Sequence, residues 1–180
     1  MVDHSLRAAA GNELSAQGPG NVFTERVVSP STTNKYGSEV NIKELREQAE
    51  SGSVVAQAVL GGCYLHGFEV EVDYVQAFRF LSSAAERGAS RAIALLADMY
   101  AQGLGVPTDI GMAISLYEKA AERGEFFAQI ALGRIYSKGI GVAPNQEAAL
   151  KWYATAVSEE GDCEEWHEAQ TYVGSFSKRL

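Results

Sequence analysis

The stretch Ala92-Ile93-Ala94-Leu95-Leu96-Ala97-Asp98-Met99-Tyr100-Ala101-Gln102-Gly103-Leu104-Gly105-Val106 has a counterpart 36 residues on, at Ala128 to Val142, and another 36 residues back, at Ala56 to Val70. Five columns are identical in all three: Ala56/Ala92/Ala128, Leu60/Leu96/Leu132, Tyr64/Tyr100/Tyr136, Gly67/Gly103/Gly139 and Val70/Val106/Val142. Two alanine columns follow, Ala77/Ala113/Ala149 and Ala84/Ala120/Ala156. Chance would give roughly 0.2 such columns, so the chain is a tandem repeat.

Each repeat reads as two helices. Ala92, Leu95, Leu96, Met99 and Tyr100 follow helical spacing. Gly103 stops that helix in a left-handed conformation, a tight loop follows, and Asp109 caps the next helix, which runs to about Arg123. Asp73 with Gln76, and Asn41 with Glu44, have capping-box spacing. Alanine and glycine at fixed positions let helix backbones approach closely. A lone helical hairpin cannot bury its apolar face, so stacked hairpins share one continuous core.

The flanks follow from this register. Residues 41–52 align with second helices, Ile42 with Phe78 and Leu45 with Leu81, so the array begins with half a repeat. Repeats are expected at 53–88, 89–124 and 125–161. The third ends one residue late, at Gly161. A capping helix is expected over 162–174, with Trp166, Ala169 and Tyr172 or Val173 facing inward and a charged outer face. Residues 1–40, rich in Ala, Gly, Ser and Thr, read as a flexible tail, whose pairs Val22-Phe23 and Val27-Val28 are candidates to dock on the array. Residues 175–180 form a C-terminal tail.

Composition narrows the function. At 180 residues the chain is long enough to bury a sizeable core without metals or disulfides. The net charge of −8 lacks the basic footprint of nucleic-acid binding. No apolar run is long enough to cross a bilayer. Cys63 and Cys163 form no CxxC motif, and one long-range disulfide stays open. Met1 to Ala10 do not form a secretory signal, so the cytoplasm is expected; the periplasm is the alternative if a signal was removed. No phosphate loop, HExxH or GxSxG occurs, so no catalytic residue, metal or cofactor is assigned.

The run Ala128 to Val142, joined to Ala148-Ala149-Leu150-Lys151-Trp152-Tyr153-Ala154-Thr155-Ala156, resembles a Sel1-like repeat. The resemblance extends over about residues 42 to 173. It departs at Glu69, which replaces the second loop glycine, and at Val157 and Glu160. It implies an all-α fold, a right-handed α-α solenoid of tetratricopeptide-like helical hairpins, bacterial in origin, serving as a non-catalytic adaptor or scaffold for a protein or peptide. Immunity proteins that neutralise secreted toxins belong to the same family and are the alternative. Cysteine-rich members linked to β-lactam binding or hydrolysis carry a disulfide in each repeat, which two cysteines cannot supply.

In the related tetratricopeptide fold the first helices line a concave groove. Carried over by alignment, the resemblance places Val55, Ala58, Gly62, Leu65 and His66 there from repeat one, Arg91, Ala94, Asp98, Ala101 and Gln102 from repeat two, and Phe127, Ile130, Arg134, Ser137 and Lys138 from repeat three. Arg91, Arg134 and Lys138 suit a carboxylate, arginine bidentately. Against that stands pairing of Arg134 with Asp98 and simple solvation of Arg91. Phe126-Phe127 is either an exposed anchor or core. His66 reads as groove-lining. Cys163 and His167 have metal-ligand spacing but read better as a solvated acidic cap. A monomer binding one protein is expected, without nucleic acid or membrane insertion. An oligomer built through the tail or end cap is the competing arrangement.

Overall fold

A computed structural model describes residues 41–158 and 161–177, so the expectations for the tail at 1–40 and for residues 178–180 lie outside the described residues. The described residues form eight helices and no strand: α1 (Ile42–Glu50), α2 (Val54–His66), α3 (Tyr74–Glu86), α4 (Ser90–Gln102), α5 (Ile110–Ala121), α6 (Phe126–Lys138), α7 (Gln146–Ala156) and α8 (Glu164–Ser177). The hairpins α2–α3, α4–α5 and α6–α7 each pack most closely within themselves, and each second helix then packs on the next first helix. First helices also touch directly, α2 with α4 and α6 with α8. This is a helical-repeat solenoid.

Backbone chemistry explains the invariant columns. The glycines ending α2, α4 and α6 are left-handed, with φ of 74°, 71° and 70°. Their N–H groups donate to Cys63, Met99 and Ile135, satisfying carbonyls the helix end leaves open. Six residues on from these glycines, the N–H groups of Asp73, Asp109 and Asn145 return to the carbonyls of Tyr64, Tyr100 and Tyr136 at 3.0, 2.9 and 2.8 Å. The same three side chains accept from the first turn of the next helix. Only half of each capping box forms. The Asp73 N–H is already bound to Tyr64, and Gln76 Oε1 accepts from Arg79 instead; Glu44 likewise accepts from Gln48.

Small residues sit where large ones from the partner helix arrive. Leu81, Tyr117 and Tyr153 occupy one column and are at most 1% exposed. A Cβ at Gly61 would lie 2.7 Å from Leu81, and one at Gly133 2.7 Å from the Tyr153 ring. The alanines of all three invariant columns are buried. Polar ties also recur. Arg87 donates to the Gly52 carbonyl, and Arg123 to that of Gly88 at 2.9 Å, fastening one repeat to the last. Gln57 and Gln129, both buried, donate to Ala49 and Ala121.

Two departures from the expected pattern have physical reasons. Gly105 and Gly141 have φ of 71° and 69°, and a Cβ on either would run into the first residue of the preceding second helix, Tyr74 or Ile110. Glu69 keeps the positive φ, 56°, but is exposed. Glu69→Gly should therefore stabilise the protein by about 0.5 kcal/mol, the left-handed strain relieved being partly offset by glycine's larger unfolded-state entropy. Urea denaturation would show it, and a destabilised variant would refute it. The final helix runs to Ser177 rather than 174: Gly174 lies inside it, and among the described residues nothing stands within 4 Å of a Cβ there.

Candidate functional site

The exposed stripe of a first helix is set by 3.6 residues per turn. On α2 it comprises Val55, Val59, Gly62 and His66. Val55 is 74% exposed and Val59 44%. The corresponding positions are Arg91, Leu95, Asp98 and Gln102 on α4, and Phe127, Ala131, Arg134 and Lys138 on α6. Leu95 departs from the stripe: it is buried and lies over Gly62, closing α4 against α2.

This geometry corrects part of the expected groove. Leu65 is 4% and Ile130 2% exposed, so both are core and neither offers a surface. Ala94 and Ala101 are buried as well. Stepping by three from Val55 reaches Ala58, whose column turns inward; stepping by four reaches Val59. Val59, absent from the groove carried over by alignment, belongs to the exposed stripe.

The charged candidates are engaged within the array. Arg91 forms an ion pair with Glu125 at 3.0 Å and lies over the Phe127 ring, 4.7 Å from its centroid. It is thus not merely solvated, and Phe127 is half-buried beneath it. Phe126 packs into the core beside Ile130 and Tyr153, in edge contact with Phe127. Asp98 accepts from the Tyr117 hydroxyl at 2.5 Å. The expected Arg134–Asp98 pair is replaced by a bidentate pair between Arg134 and Glu168 on α8. Glu168 also accepts from the Tyr153 hydroxyl at 3.1 Å. The cap expected to carry its charge outward therefore turns one carboxylate in toward α6 and α7. Lys138 and His66 are exposed, and Gln102 is partly buried.

The electrostatics of this cluster are coherent. Burial pushes the Glu168 carboxyl up, but the hydrogen bond and charge of Arg134, the Tyr153 hydroxyl and Lys138 bring it below its usual value. The hydrogen bond to Glu168 holds the Arg134 pKa up against burial. Burial, then the Glu168 charge, raises Tyr153 strongly.

Both cysteines are free thiols, Cys63 buried and Cys163 exposed, so the long-range disulfide does not form. Burial, then the Glu69 charge, raises the Cys63 thiol. His167 Nδ1 lies 2.9 Å from the Cys163 carbonyl oxygen. Among the described residues no three His, Cys, Asp or Glu side chains gather as a metal site, and no helix is long and apolar enough to cross a membrane.

Tandem 36-residue hairpins with stacked glycine-bearing loops define an α-solenoid repeat protein. The Sel1 repeat model matches residues 54–88, 90–125 and 127–159, and the chain belongs to the Sel1 repeat family. Among solved structures, a Sel1 repeat protein from Oxalobacter formigenes is 40% identical with a TM-score of 0.61, over 74% of this chain and 97% of that one. The protective antigen c5321 of uropathogenic Escherichia coli, described as displaying an SLR fold, is 39% identical with a TM-score of 0.60, over 66% of this chain but 25% of that one. Cysteine rich protein B of Helicobacter pylori is 26% identical with a TM-score of 0.53, over 67% and 90%. A comparison with curated proteins gave no match. Sel1 repeat proteins generally mediate protein–protein interaction and are typically non-catalytic scaffolds.

Proposed function

We propose that this chain is a non-catalytic binding module that takes a protein or peptide across the first helices α2, α4 and α6. One observation carries the reading: the packing columns are identical between repeats, whereas the columns 55/91/127, 62/98/134 and 66/102/138 differ in every repeat. A scaffold that only needed to stack would leave these positions plain and polar. Instead α2 presents Val55 and Val59 together to solvent. An apolar pair on a rigid helix gives a partner side chain a place to lose water without ordering new structure.

The basic residues are weaker anchors than the sequence suggests, because Arg91 and Arg134 already hold carboxylates. Lys138 and His66 remain as exposed polar positions at the far ends of α6 and α2. An immunity role is the second reading, favoured by the net charge of −8, which would steer the chain toward a basic toxin.

The test is capture from a lysate of the native host by the intact chain and by a Val55→Asp/Val59→Asp variant. Both positions are exposed, so the melting temperature should change little. A protein held by the wild type should be lost from the variant, about tenfold or more. Equal capture by both would defeat the groove reading. One stoichiometric partner whose activity is blocked would favour the immunity protein; several weaker partners would favour the adaptor.

A further inference from the structure

We infer that the cleft between the second helices α3 and α5 is a further docking site, for a segment of a partner protein that carries a carboxylate between apolar side chains. The repeat itself defines the cleft. Tyr64 stacks on Phe80 of its own second helix, with ring centroids 6.1 Å apart, and its hydroxyl accepts from Arg46 of the helix before at 2.7 Å. Tyr136 donates to Glu118 of the preceding second helix at 3.1 Å. Each tyrosine of this column therefore floors a cleft between two successive second helices. For Tyr100 the walls are α5 and α3, whose Phe78 meets its ring edge-on at 6.3 Å. The α5 wall is the stripe Met112, Leu116 and Lys119, spaced i, i+4 and i+7. It faces back toward α3: Leu116 packs on the core cluster of α3 and α4, and Arg123, one turn further on, reaches the Gly88 carbonyl just beyond α3.

Two features set this cleft apart from those on either side. Its mouth is apolar, with Val75 73% and Met112 45% exposed. The equivalents of Val75 are Gly111 and Glu147, and those of Met112 are Gln76 and Ala148. Its polar floor also differs. Where the neighbouring clefts carry Arg46 and Glu118, this one carries Ser82. Among the described residues neither the Ser82 nor the Tyr100 hydroxyl makes a hydrogen bond, and Lys119, exposed, is in no ion pair. The counterparts of Lys119 are neutral and already engaged: Ser83 donates to Gln57, and Thr155 to the Lys151 carbonyl.

The complement of this lining is a carboxylate. Lys119 supplies the opposite charge, and the two hydroxyls supply donors, as Tyr136 already does for Glu118. The other charges nearby point elsewhere. Arg79 leans onto Gln76 and the Phe80 ring, Glu118 serves the next cleft, and Glu86 and Glu122 stand at the C-terminal ends of the two walls. A basic segment would meet Lys119 as a like charge. Apolar side chains flanking the carboxylate would cover Val75 and Met112 and take both out of water.

The experiment is an NMR titration of the isotope-labelled full chain with acetyl-leucyl-glutamyl-leucine methylamide, and separately with its glutaminyl analogue. The glutamyl probe should shift the methyl groups of Val75, Met112 and Leu116 and the ring of Tyr100, saturating weakly, as so short a segment must. The glutaminyl probe should bind about tenfold more weakly. Two variants complete the test. Ser82→Glu places a carboxylate of the chain's own beside Tyr100, as Glu118 stands beside Tyr136, and should weaken the glutamyl probe about tenfold with the melting temperature held. Lys119→Gln, at an exposed position, should bring the two probes to nearly equal affinity. No shifts, equal binding of both probes by the wild type, shifts centred on the first helices, or undiminished binding by a folded Ser82→Glu chain would each overturn the assignment. A chain that dimerises and thereby excludes the probe would overturn it as well, by making a second copy the occupant. The Val55→Asp/Val59→Asp variant should bind the probe as the wild type does, so this site and the first-helix groove fail separately.

Discussion

Gly141→Ala should destabilise the protein by about 3 kcal/mol, with left-handed strain on a non-glycine residue and overlap with a packed neighbour both contributing. Gly141 has φ of 69°, and the new methyl would collide with Ile110, the first residue of α5. The loop cannot retreat freely, because the Gly139 and Ile140 N–H groups are tied to Ile135 and the Asn145 N–H to Tyr136. The loss falls on the seam between repeats two and three, so it weakens one interface of a nearest-neighbour array. Urea denaturation followed by circular dichroism should show a lower midpoint and a shallower slope, as α6–α8 begin to unfold apart from α2–α5. Gly105→Ala should behave alike, since its methyl would lie 2.5 Å from the Tyr74 Cβ. Glu69→Ala is the control: the column is the same, but a side chain already stands there at positive φ. If Gly141→Ala matched Glu69→Ala in stability, stacking of loops on the preceding helix would not be what demands glycine.

These loops also show what was legible in the sequence. Column identity reads contacts that every repeat makes, because selection for one packing geometry leaves the same residue at each turn. Helix number, the left-handed glycines, the Asp and Asn caps and the buried alanines all fall in that class. Contacts made once have no column. Arg134 with Glu168 and Arg91 with Glu125 each join residues whose equivalents elsewhere are different, while the Tyr153 hydroxyl meets Glu168 on the capping helix. The Tyr117 hydroxyl, in the same column as Tyr153, turns to Asp98 within its own hairpin. The groove positions sat between these cases. Their helices are those expected, yet alignment with the tetratricopeptide fold carries Leu65 and Ile130, both buried here, onto the groove face. Val157, odd beside the alanines of its column, packs on the cluster of Ile130, Tyr153 and Ala169 and so serves the junction with α8. Where a repeat array ends, the residues answer to the cap rather than to the period.

The cap is where the second large effect is expected. Tyr153→Ala should cost about 4 kcal/mol, the usual range for emptying a buried aromatic site. Tyr153 is 1% exposed, its ring lies 4.7 Å from that of Tyr172, and it fills the space left by Gly133. The same substitution removes a donor from Glu168 and leaves Arg134 to hold α8 through its carboxylate alone. Unfolding should then start at the C-terminal end: Trp152 and Trp166, on α7 and α8, would report a lower midpoint by fluorescence than circular dichroism reports for the whole array. Acid should act on the same joint in the wild type. The folded Glu168 carboxyl lies below its ordinary value of 4.5, so the folded state holds its proton more weakly than the unfolded chain does. Its contribution is complete above pH 4.5 and disappears as the pH falls through the lowered value. Glu168→Gln keeps an acceptor for Tyr153 but has no charge to lose. The variant should be less stable than the wild type at neutral pH, and the gap should narrow in acid, leaving the cap's fluorescence midpoint nearly independent of this titration. A gap that stayed constant from pH 7 to acid would mean that the Arg134–Glu168 pair positions α8 without stabilising it, and that the aromatic packing of Tyr153 on Tyr172 holds the cap by itself.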